Sequence, residues 1–415
     1  MLDTRCIGVG LLAIMPLIML TNAWKITEYN GLSIRYIDLL FLLTWLVWGL
    51  QTVLTCRINR GFPAFLGLIL ILFTISLIGL SILPIYQVKW QELFRFAQTL
   101  LWGALALSFV RTMEDAKIIF RNIAVSGAVL SLFSIYLYII VPDLHRIAGF
   151  FSAAGGEGIS IQASYNEIGA LYALASILTM NSLLGDRQSS RKWKFVLYAM
   201  LILNIIGLIL VQSRSAFLGL IVGGIAFIAP EIKRLILYGK LNIRIITYGS
   251  IGLAISVMVV LGPSLLTINR YILTFSQGTS EYGSAVTRLI LWDRGIEAWI
   301  ETVPHFLIGY GFGSTEQIIG SVTTENFFLN ICLWLGIAGL VVALALLLWP
   351  VIEASERPKN SRIATLALSI LLVTGVISMF GNTLVDPFYG GCTFLTLYTI
   401  LATSCHYAKE ERTCK

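Results

Sequence analysis

The class of fold is decided by residues 195–230, which read FVLYAMLILNIIGLILVQSRSAFLGLIVGGIAFIAP. Two apolar runs lie on either side of the polar break Gln212-Ser213-Arg214-Ser215. A helix that crosses the hydrocarbon core of a bilayer needs about 20 mostly apolar residues. A charged side chain at membrane depth costs about 2.5–3.5 kcal/mol on insertion scales, so it usually has a binding role. The break therefore predicts that Arg214 binds a ligand, and that this ligand is anionic.

The composition of the whole chain supports the same class. Of its 415 residues, 57% are hydrophobic and 12% are charged, whereas ordinary soluble domains are about 25% charged. We predict an all-α polytopic membrane protein in which residues 1–415 form a single integral membrane domain. Twelve transmembrane helices are predicted, at residues 5–21, 36–54, 63–83, 93–110, 119–141, 164–184, 195–211, 215–230, 245–266, 326–350, 363–381 and 389–406.

The loop charges predict the orientation of the bundle. With the N-terminus in the cytoplasm, most of the 29 lysines and arginines fall on the inner side, as the positive-inside rule requires. Both termini are therefore predicted to be cytoplasmic. The net charge of +7 reflects this topology, and it indicates no nucleic-acid partner. No small-residue cleavage site follows the first span, so we interpret it as a retained helix and not as a signal peptide.

Neither cysteine nor histidine spacing indicates a metal site or a disulfide framework. The six cysteines have no paired spacing, and the three histidines share no metal-ligand spacing. The sequence therefore predicts no metal and no cofactor.

Two long outer segments, 142–163 and 267–325, contrast with otherwise short outer loops. Loops of this length are usually functional or disordered, so we predict a functional site on the outer face. Within 267–325, apolar residues recur at helical spacing. This pattern predicts an amphipathic helix at the membrane surface. A helix packed on the bundle with its charges in water would explain the pattern equally well.

The end of the second segment contains two further features. Glycines at 309, 311 and 313 could bring backbone close to a bulky group, could donate amides to an anion, or could form a flexible turn. Glu325 then opens a long apolar helix. This carboxylate is either a base on the outer face or an ordinary cap in the first helical turn, after Thr323 or Thr324.

Four motifs occur in a fixed order. They are Gln-Ser-Arg-Ser-Ala-Phe-Leu-Gly at 212–219, Thr-Arg at 287–288, His-x-x-x-Gly-x-Gly-x-Gly at 305–313 and Glu-Asn-x-x-Leu-x(6)-Gly-x-x-Gly at 325–339. In this order they resemble the bacterial O-antigen polymerase and O-antigen ligase family. An Arg-x-x-Gly at Arg146, followed by Asn166 before a span, resembles an earlier element of that family. The resemblance covers roughly residues 145–345.

The resemblance implies a metal-independent glycosyltransferase of GT-C-like architecture in the bacterial inner membrane, with its active site on the periplasmic face. The donor would be a glycan on undecaprenyl pyrophosphate, and the acceptor another lipid-linked glycan. Membrane lipids and a chain-length-regulating membrane protein would be its other partners.

The resemblance also implies roles for individual residues. Arg214 and Arg288 would stabilise the departing pyrophosphate, since a guanidinium donates parallel hydrogen bonds to phosphate oxygens. Glu325 would take the proton of the acceptor hydroxyl. The ligase branch commonly has a histidine at this point, so the carboxylate favours a polymerase. The remaining candidates are predicted to bind substrate: Arg146, Asn166, Arg294, His305 and Asn326.

Several of these residues have plainer interpretations. Asn166 could be a polar start of a span at the interface, without a ligand. His305 could be the base in place of Glu325, or a structural histidine before a glycine turn.

Two alternative functions remain open at the level of sequence. One is a ligase that transfers glycan to lipid A core. The other is a transporter of polysaccharide or lipid-linked sugar, since carriers often have twelve spans. Two features count against a transporter: the halves show no obvious repeat, and the polar residues cluster in outer loops and not near the midplane.

Overall fold

The structure, a computed structural model, describes residues 4–20, 25–29, 32–55, 61–82, 90–140, 165–185, 190–238, 280–321, 323–356, 361–385 and 389–413. These residues are almost entirely helical. In chain order the helices are α1 (Thr4–Met19), α2 (Tyr36–Thr55), α3 (Gly61–Ile82), α4 (Trp90–Phe109), α5 (Met113–Ile140), α6 (Tyr165–Gly185), α7 (Arg191–Val211), α8 (Arg214–Tyr238), α9 (Ser280–Ile300), α10 (Val303–Ile308), α11 (Thr315–Ile319), α12 (Phe327–Ser355), α13 (Ser361–Ser378) and α14 (Tyr389–Thr413).

The predicted spans coincide with helices wherever the structure describes them. The span predicted at 245–266 lies outside the described residues. Six described helices are long and apolar enough to cross a membrane: Tyr36–Thr55, Gly61–Ser81, Met113–Tyr136, Asn166–Gly185, Arg191–Val211 and Phe327–Ser355. Shorter apolar helices occur at Thr4–Ile18, Arg214–Pro230 and Arg362–Ser378. The prediction of a helical polytopic membrane protein is confirmed, and the total of twelve spans stays a prediction.

One local element departs from the all-α prediction. Strands β1 (Lys25–Tyr29) and β2 (Leu32–Arg35) form an antiparallel hairpin between α1 and α2, with Tyr29 paired to Leu32. The sequence between the strands is Asn30-Gly31, which is the strongest short-range signal for a two-residue hairpin turn. No strand was predicted here, although this turn signal is present in the sequence.

Helix α6 is the centre of the bundle. It packs against α5, α7, α8 and α13, and 72% of its apolar window is buried, the largest share among the six long apolar helices. Helices α8 and α13 approach closely at Gly219 and Gly223. A Cβ at Gly223 would lie 2.8 Å from the carbonyl oxygen of Ser369, so small residues permit this contact, as is usual between membrane helices.

Helices α6 and α13 run antiparallel, so their termini mark the two ends of the bundle. Asn166, at the start of α6, lies near Gly381, beyond the end of α13. Asn181, near the end of α6, bonds to Arg362 at the start of α13. We call these the Asn166 end and the Asn181 end. They are about 22 Å apart along α6, at 1.5 Å per residue.

Candidate active site at the Asn166 end

Arg288 and Glu325, two of the three predicted catalytic residues, lie next to each other. Nη2 of Arg288 is 3.8 Å from Oε2 of Glu325, and the side chains are 18% and 36% exposed. This separation exceeds the usual 2.7–3.2 Å of an N–H···O hydrogen bond, so the pair is an ion pair without a direct bond. The site therefore joins a cation and a carboxylate from distant parts of the chain.

Helix α9 is held against the segment before α12 by residues that follow Arg288 on the same face of the helix. Trp292, one turn later, donates its Nε1–H to the carbonyl oxygen of Thr324 at 2.9 Å. At Gly295 a Cβ would lie 3.0 Å from Leu329 and 3.3 Å from Thr324, so the absence of a side chain lets the helices approach. This face of α9 is docked on the segment that leads into α12.

The backbone of Glu325 is in the left-handed region, with φ 58°. This conformation costs a residue with a side chain about 1–3 kcal/mol, which surrounding structure must offset. Three hydrogen bonds hold the turn: Glu325 N–H to Thr323 Oγ1 at 3.1 Å, Asn330 Nδ2 to the same oxygen at 2.7 Å, and Thr324 N–H to Asn330 Oδ1 at 3.0 Å. A buried asparagine inside α12 thus fixes the position of the carboxylate.

Glu325 is not in the first turn of α12. The N-cap is Asn326, whose side chain accepts the N–H of Leu329 at 3.2 Å. The capping interpretation of Glu325, with Thr323 or Thr324 as cap, is therefore wrong. It failed because the left-handed conformation of Glu325 moves the start of the helix beyond this residue, to Phe327. Asn326, which was predicted to bind substrate, uses its side-chain oxygen for the cap.

Arg288 retains hydrogen-bonding capacity. Its Nε is buried and has no hydrogen-bond partner among the described residues. A guanidinium carries five N–H donors and cannot lose its charge in a protein. A buried donor without a partner is costly, about 1–3 kcal/mol, so this atom indicates a position where a ligand oxygen would be stabilised.

Arg214 lies at the same end of the bundle. Helix α7 ends at Val211, Gln212 reverses the chain with φ 53°, and Arg214 begins α8. The intervening Ser213 donates its Oγ–H to Oδ1 of Asn166 at 3.1 Å. The polar break seen in the sequence is thus a tight turn packed on the start of α6.

A series of contacts connects this turn to α9. A Cβ at Gly381 would lie 3.5 Å from Nδ2 of Asn166. Its chain neighbour Phe380 has its ring centroid 6.2 Å from that of Trp292. Because Trp292 shares a face with Arg288, this series places the Arg214 turn and the Arg288–Glu325 pair at the same end of the bundle.

Two other candidates are positioned differently. Arg294 is exposed, on a different face of α9 from Arg288. His305 stacks on Tyr310 with centroids 3.8 Å apart, and its Nδ1 is 3.8 Å from Oε2 of Glu301. Burial lowers the pKa of His305, and the nearby Glu301 carboxylate opposes this shift. Arg146 lies outside the described residues.

The helix predicted in the second long segment is present as α9. Its apolar Leu289, Ile296 and Ile300 are exposed and form a stripe beside the docked face. Their position at a membrane surface stays a prediction.

The glycine-rich segment docks on a break in α12. At Gly336 the helix is interrupted, with φ 62° and ψ −166°. The carbonyls of Leu333 and Trp334 accept the N–H groups of Tyr310 and Gly311 at 2.7 and 2.8 Å. These amides are therefore not donors to an anion, and the segment is not a free turn. The glycines let the backbone of residues 309–311 pack closely on the break at Gly336, although the two motifs are separate in the sequence.

Sequence reasoning missed the residues that position this site. Trp292, Ser213 and Asn330 were not selected. Asn330 had a signal, since it is a polar residue four positions after Asn326 inside an apolar helix. Within the described part of the chain, no group of three His, Cys, Asp or Glu side chains could hold a metal ion.

Part of the chain that contains this site is similar to a known family. Residues 199–344 match the family model described as O-antigen ligase. No curated protein matches the chain. The matched segment contains Arg214, Arg288 and Glu325, the residues that the resemblance singled out. The resemblance to the O-antigen polymerase and ligase family is therefore confirmed, and residues 199–344 are the part of this chain in which the family is recognised.

Proposed function

We propose that the protein is a polysaccharide polymerase that joins undecaprenyl-pyrophosphate-linked oligosaccharide repeat units at the periplasmic face of the bacterial inner membrane. The observation that carries the proposal is the pairing of Arg288, which has an unpartnered buried donor, with Glu325, a carboxylate fixed outside the helix. Such a pair offers a fixed cation and a proton acceptor in one place.

The arginines would act on the donor substrate. In the reaction, the bond between the anomeric carbon and the pyrophosphate oxygen breaks, and negative charge grows on the leaving pyrophosphate. Fixed positive charge in a partly dry site stabilises such a group by about 3–4 kcal/mol. Arg288 and Arg214 supply this charge, and Arg288 also orients Glu325.

Glu325 would act on the acceptor. The hydroxyl oxygen forms the new bond to the anomeric carbon, and its proton passes to the carboxylate. A positioned base contributes about 10²–10⁴ in rate. A single displacement of this kind inverts the anomeric carbon, so analysis of the product anomer tests the step: retention would exclude it.

The second candidate is a ligase, which the description of the matched family favours. A ligase and a polymerase share the donor and differ in the acceptor. The carboxylate at 325, where a ligase commonly has histidine, leads us to prefer the polymerase.

The test uses the purified full-length protein in lipid with a matched undecaprenyl-pyrophosphate repeat unit, and products separated on a gel. A ladder that persists with EDTA supports a metal-independent polymerase. A single transfer that requires lipid A core identifies a ligase. No product in either assay would overturn the enzyme proposal and favour a transporter.

A further inference from the structure

The turn that follows α13 is held between helices at the Asn166 end. Residues 379–385 lead from the end of α13 towards α14. A Cβ at Gly381 would lie 3.5 Å from Nδ2 of Asn166, at the start of α6. Thr99 on α4 donates its Oγ–H to the carbonyl oxygen of Val385 at 3.3 Å. Helices α4 and α6 therefore fix this turn at the end of the bundle that contains the candidate active site.

An aromatic pair connects the turn to α9. The ring centroid of Phe380 lies 6.2 Å from that of Trp292, and both side chains are half-buried. Trp292 follows Arg288 by four residues, which is about 6 Å along the helix axis at 1.5 Å per residue. Along α9, the pair is thus about one helical turn from the cation that we propose for the pyrophosphate.

Two side-chain oxygens of the turn lack hydrogen-bond partners within the described part of the chain. They are Oδ1 of Asn382 and Oγ1 of Thr383, and both atoms are buried. As a residue, Thr383 is 2% exposed, whereas Asn382 is half-buried. Most buried polar atoms have a partner, because an unsatisfied one destabilises the folded state. A ligand that donates hydrogen bonds would satisfy these two oxygens.

The chemistry of the turn favours a neutral ligand over a phosphate. Residues 379–385, MFGNTLV, include no charged side chain. An asparagine oxygen accepts hydrogen bonds, and a threonine hydroxyl both donates and accepts them, which matches the hydroxyl groups of a sugar. The negative faces of aromatic rings suit the polarised C–H groups of a sugar ring. Amide, hydroxyl and aromatic groups together are therefore suited to a carbohydrate.

We infer that the 379–385 turn binds a sugar ring of the lipid-linked repeat unit. Asn382 and Thr383 accept hydrogen bonds from its hydroxyl groups, and the Trp292–Phe380 pair contacts its C–H face. The inference rests on the proposed function for the identity of the substrate. The turn lies beyond residues 199–344, the part of the chain that matches the family. It adds carbohydrate recognition to a site whose charged groups act on the pyrophosphate and on the acceptor proton.

Native mass spectrometry of the full-length protein tests this site without any need for turnover. The probes are undecaprenyl pyrophosphate without sugar and the lipid-linked repeat unit extracted from the cells that make this protein. We expect the wild type to bind the repeat unit about tenfold more tightly than the sugar-free lipid, as for one or two hydrogen bonds. Thr383→Val or Asn382→Ala should weaken binding of the repeat unit about 3–10-fold and leave binding of the sugar-free lipid unchanged.

The matched control is Thr399→Val. Thr399 is also buried, and its Oγ1 also lacks a partner among the described residues. It lies ten residues, about 15 Å, beyond the first residue of α14. Because neither threonine hydroxyl bonds to a described residue, Thr383→Val and Thr399→Val should both melt at or above the wild-type temperature. Only Thr383→Val should weaken binding of the repeat unit.

Three results would overturn the inference. They are equal binding of the two lipids by the wild type, full affinity of Thr383→Val and Asn382→Ala for the repeat unit, and weaker binding of both lipids with a lowered melting temperature in these variants. The last result would indicate a structural role. Failure of the proposed function has a different signature: a protein that shows the sugar-dependent difference but forms no polymer would retain the carbohydrate site and exclude a polymerase.

Discussion

The two ends of the bundle hold their cations in different ways. At the Asn166 end, Arg288 faces Glu325 across a left-handed residue and beside a broken helix. At the Asn181 end, Arg362 on α13 donates to Asn181 on α6, and the guanidinium of Arg121 on α5 lies over the ring of Trp193 on α7. A cation opposite a carboxylate is suited to proton transfer and charge stabilisation, whereas a cation bonded to an amide or placed over an aromatic ring holds neighbouring helices together. We therefore expect chemistry at the Asn166 end and helix packing at the Asn181 end.

The largest expected effect is on turnover after Glu325→Gln. We expect a loss of about 10²–10⁴ in rate, because the amide cannot accept the acceptor proton. Glu325→Gly provides the companion variant: it also lacks a carboxylate but adopts φ 58° without strain. It should be inactive with a melting temperature equal to or above that of the wild type. An active Glu325→Gly protein would contradict the role of the carboxylate.

The next effect is expected from Arg288→Ala, with polymerisation reduced about 10²–10³, as for loss of one preorganised charge-stabilising donor. The matched control is Arg294→Ala on the same helix, where the side chain is exposed and activity should change less than about threefold. Gel assays of both variants make the measurement. Equal losses would mean that α9 needs its net charge and not the Arg288–Glu325 pair.

A structural effect is expected from Gly336→Ala. Its Cβ would lie 2.4 Å from the backbone nitrogen of Ile308, at a φ of 62°. Overpacking costs about 1–3 kcal/mol and left-handed strain about 1–2 kcal/mol, so the melting temperature should fall and activity should fall with it. Gly375→Ala is the control, since no heavy atom lies within 4 Å of its Cβ, and its stability should stay equal or rise. An unchanged Gly336→Ala protein would refute the docking of the two glycine motifs.

The smallest effect on turnover is expected from His305→Gln. His305 packs on Tyr310 and Glu301, so we expect activity within about threefold of the wild type and an unchanged pH profile. Loss of the profile's acid limb would instead identify His305 as the base.

The protonation of His305 should make the stability of the protein depend on pH. Burial lowers its folded-state pKa, so the unfolded chain takes up the proton first. Its stabilising contribution is present above the unfolded pKa of about 6.5 and is lost as the pH falls. His305→Gln should therefore show a smaller drop in melting temperature between pH 7 and pH 5 than the wild type.

Sequence reasoning succeeded where the physics is local. Long apolar runs must become helices in a bilayer because backbone groups have no other partners there, and the described helices follow the predicted spans. It also selected Arg288 and Glu325 as candidates, which lie next to each other in the structure, and their catalytic role stays a prediction. It could not tell that Arg288 is partly buried and Arg294 exposed, because both lie within two turns of one helix. Which face of that helix is buried depends on how α9 packs against the rest of the protein.

The sequence by itself therefore determined the membrane class, the helical segments and the residue types of the site, since each depends on neighbours within about 20 positions. The tertiary structure alone decided that Glu325 lies outside its helix, that Arg288 lies next to it, and that the amides of Tyr310 and Gly311 bond to α12. These features depend on contacts between segments far apart in the chain. A left-handed turn and a broken helix become stable only when another segment supplies the missing hydrogen bonds and the close packing.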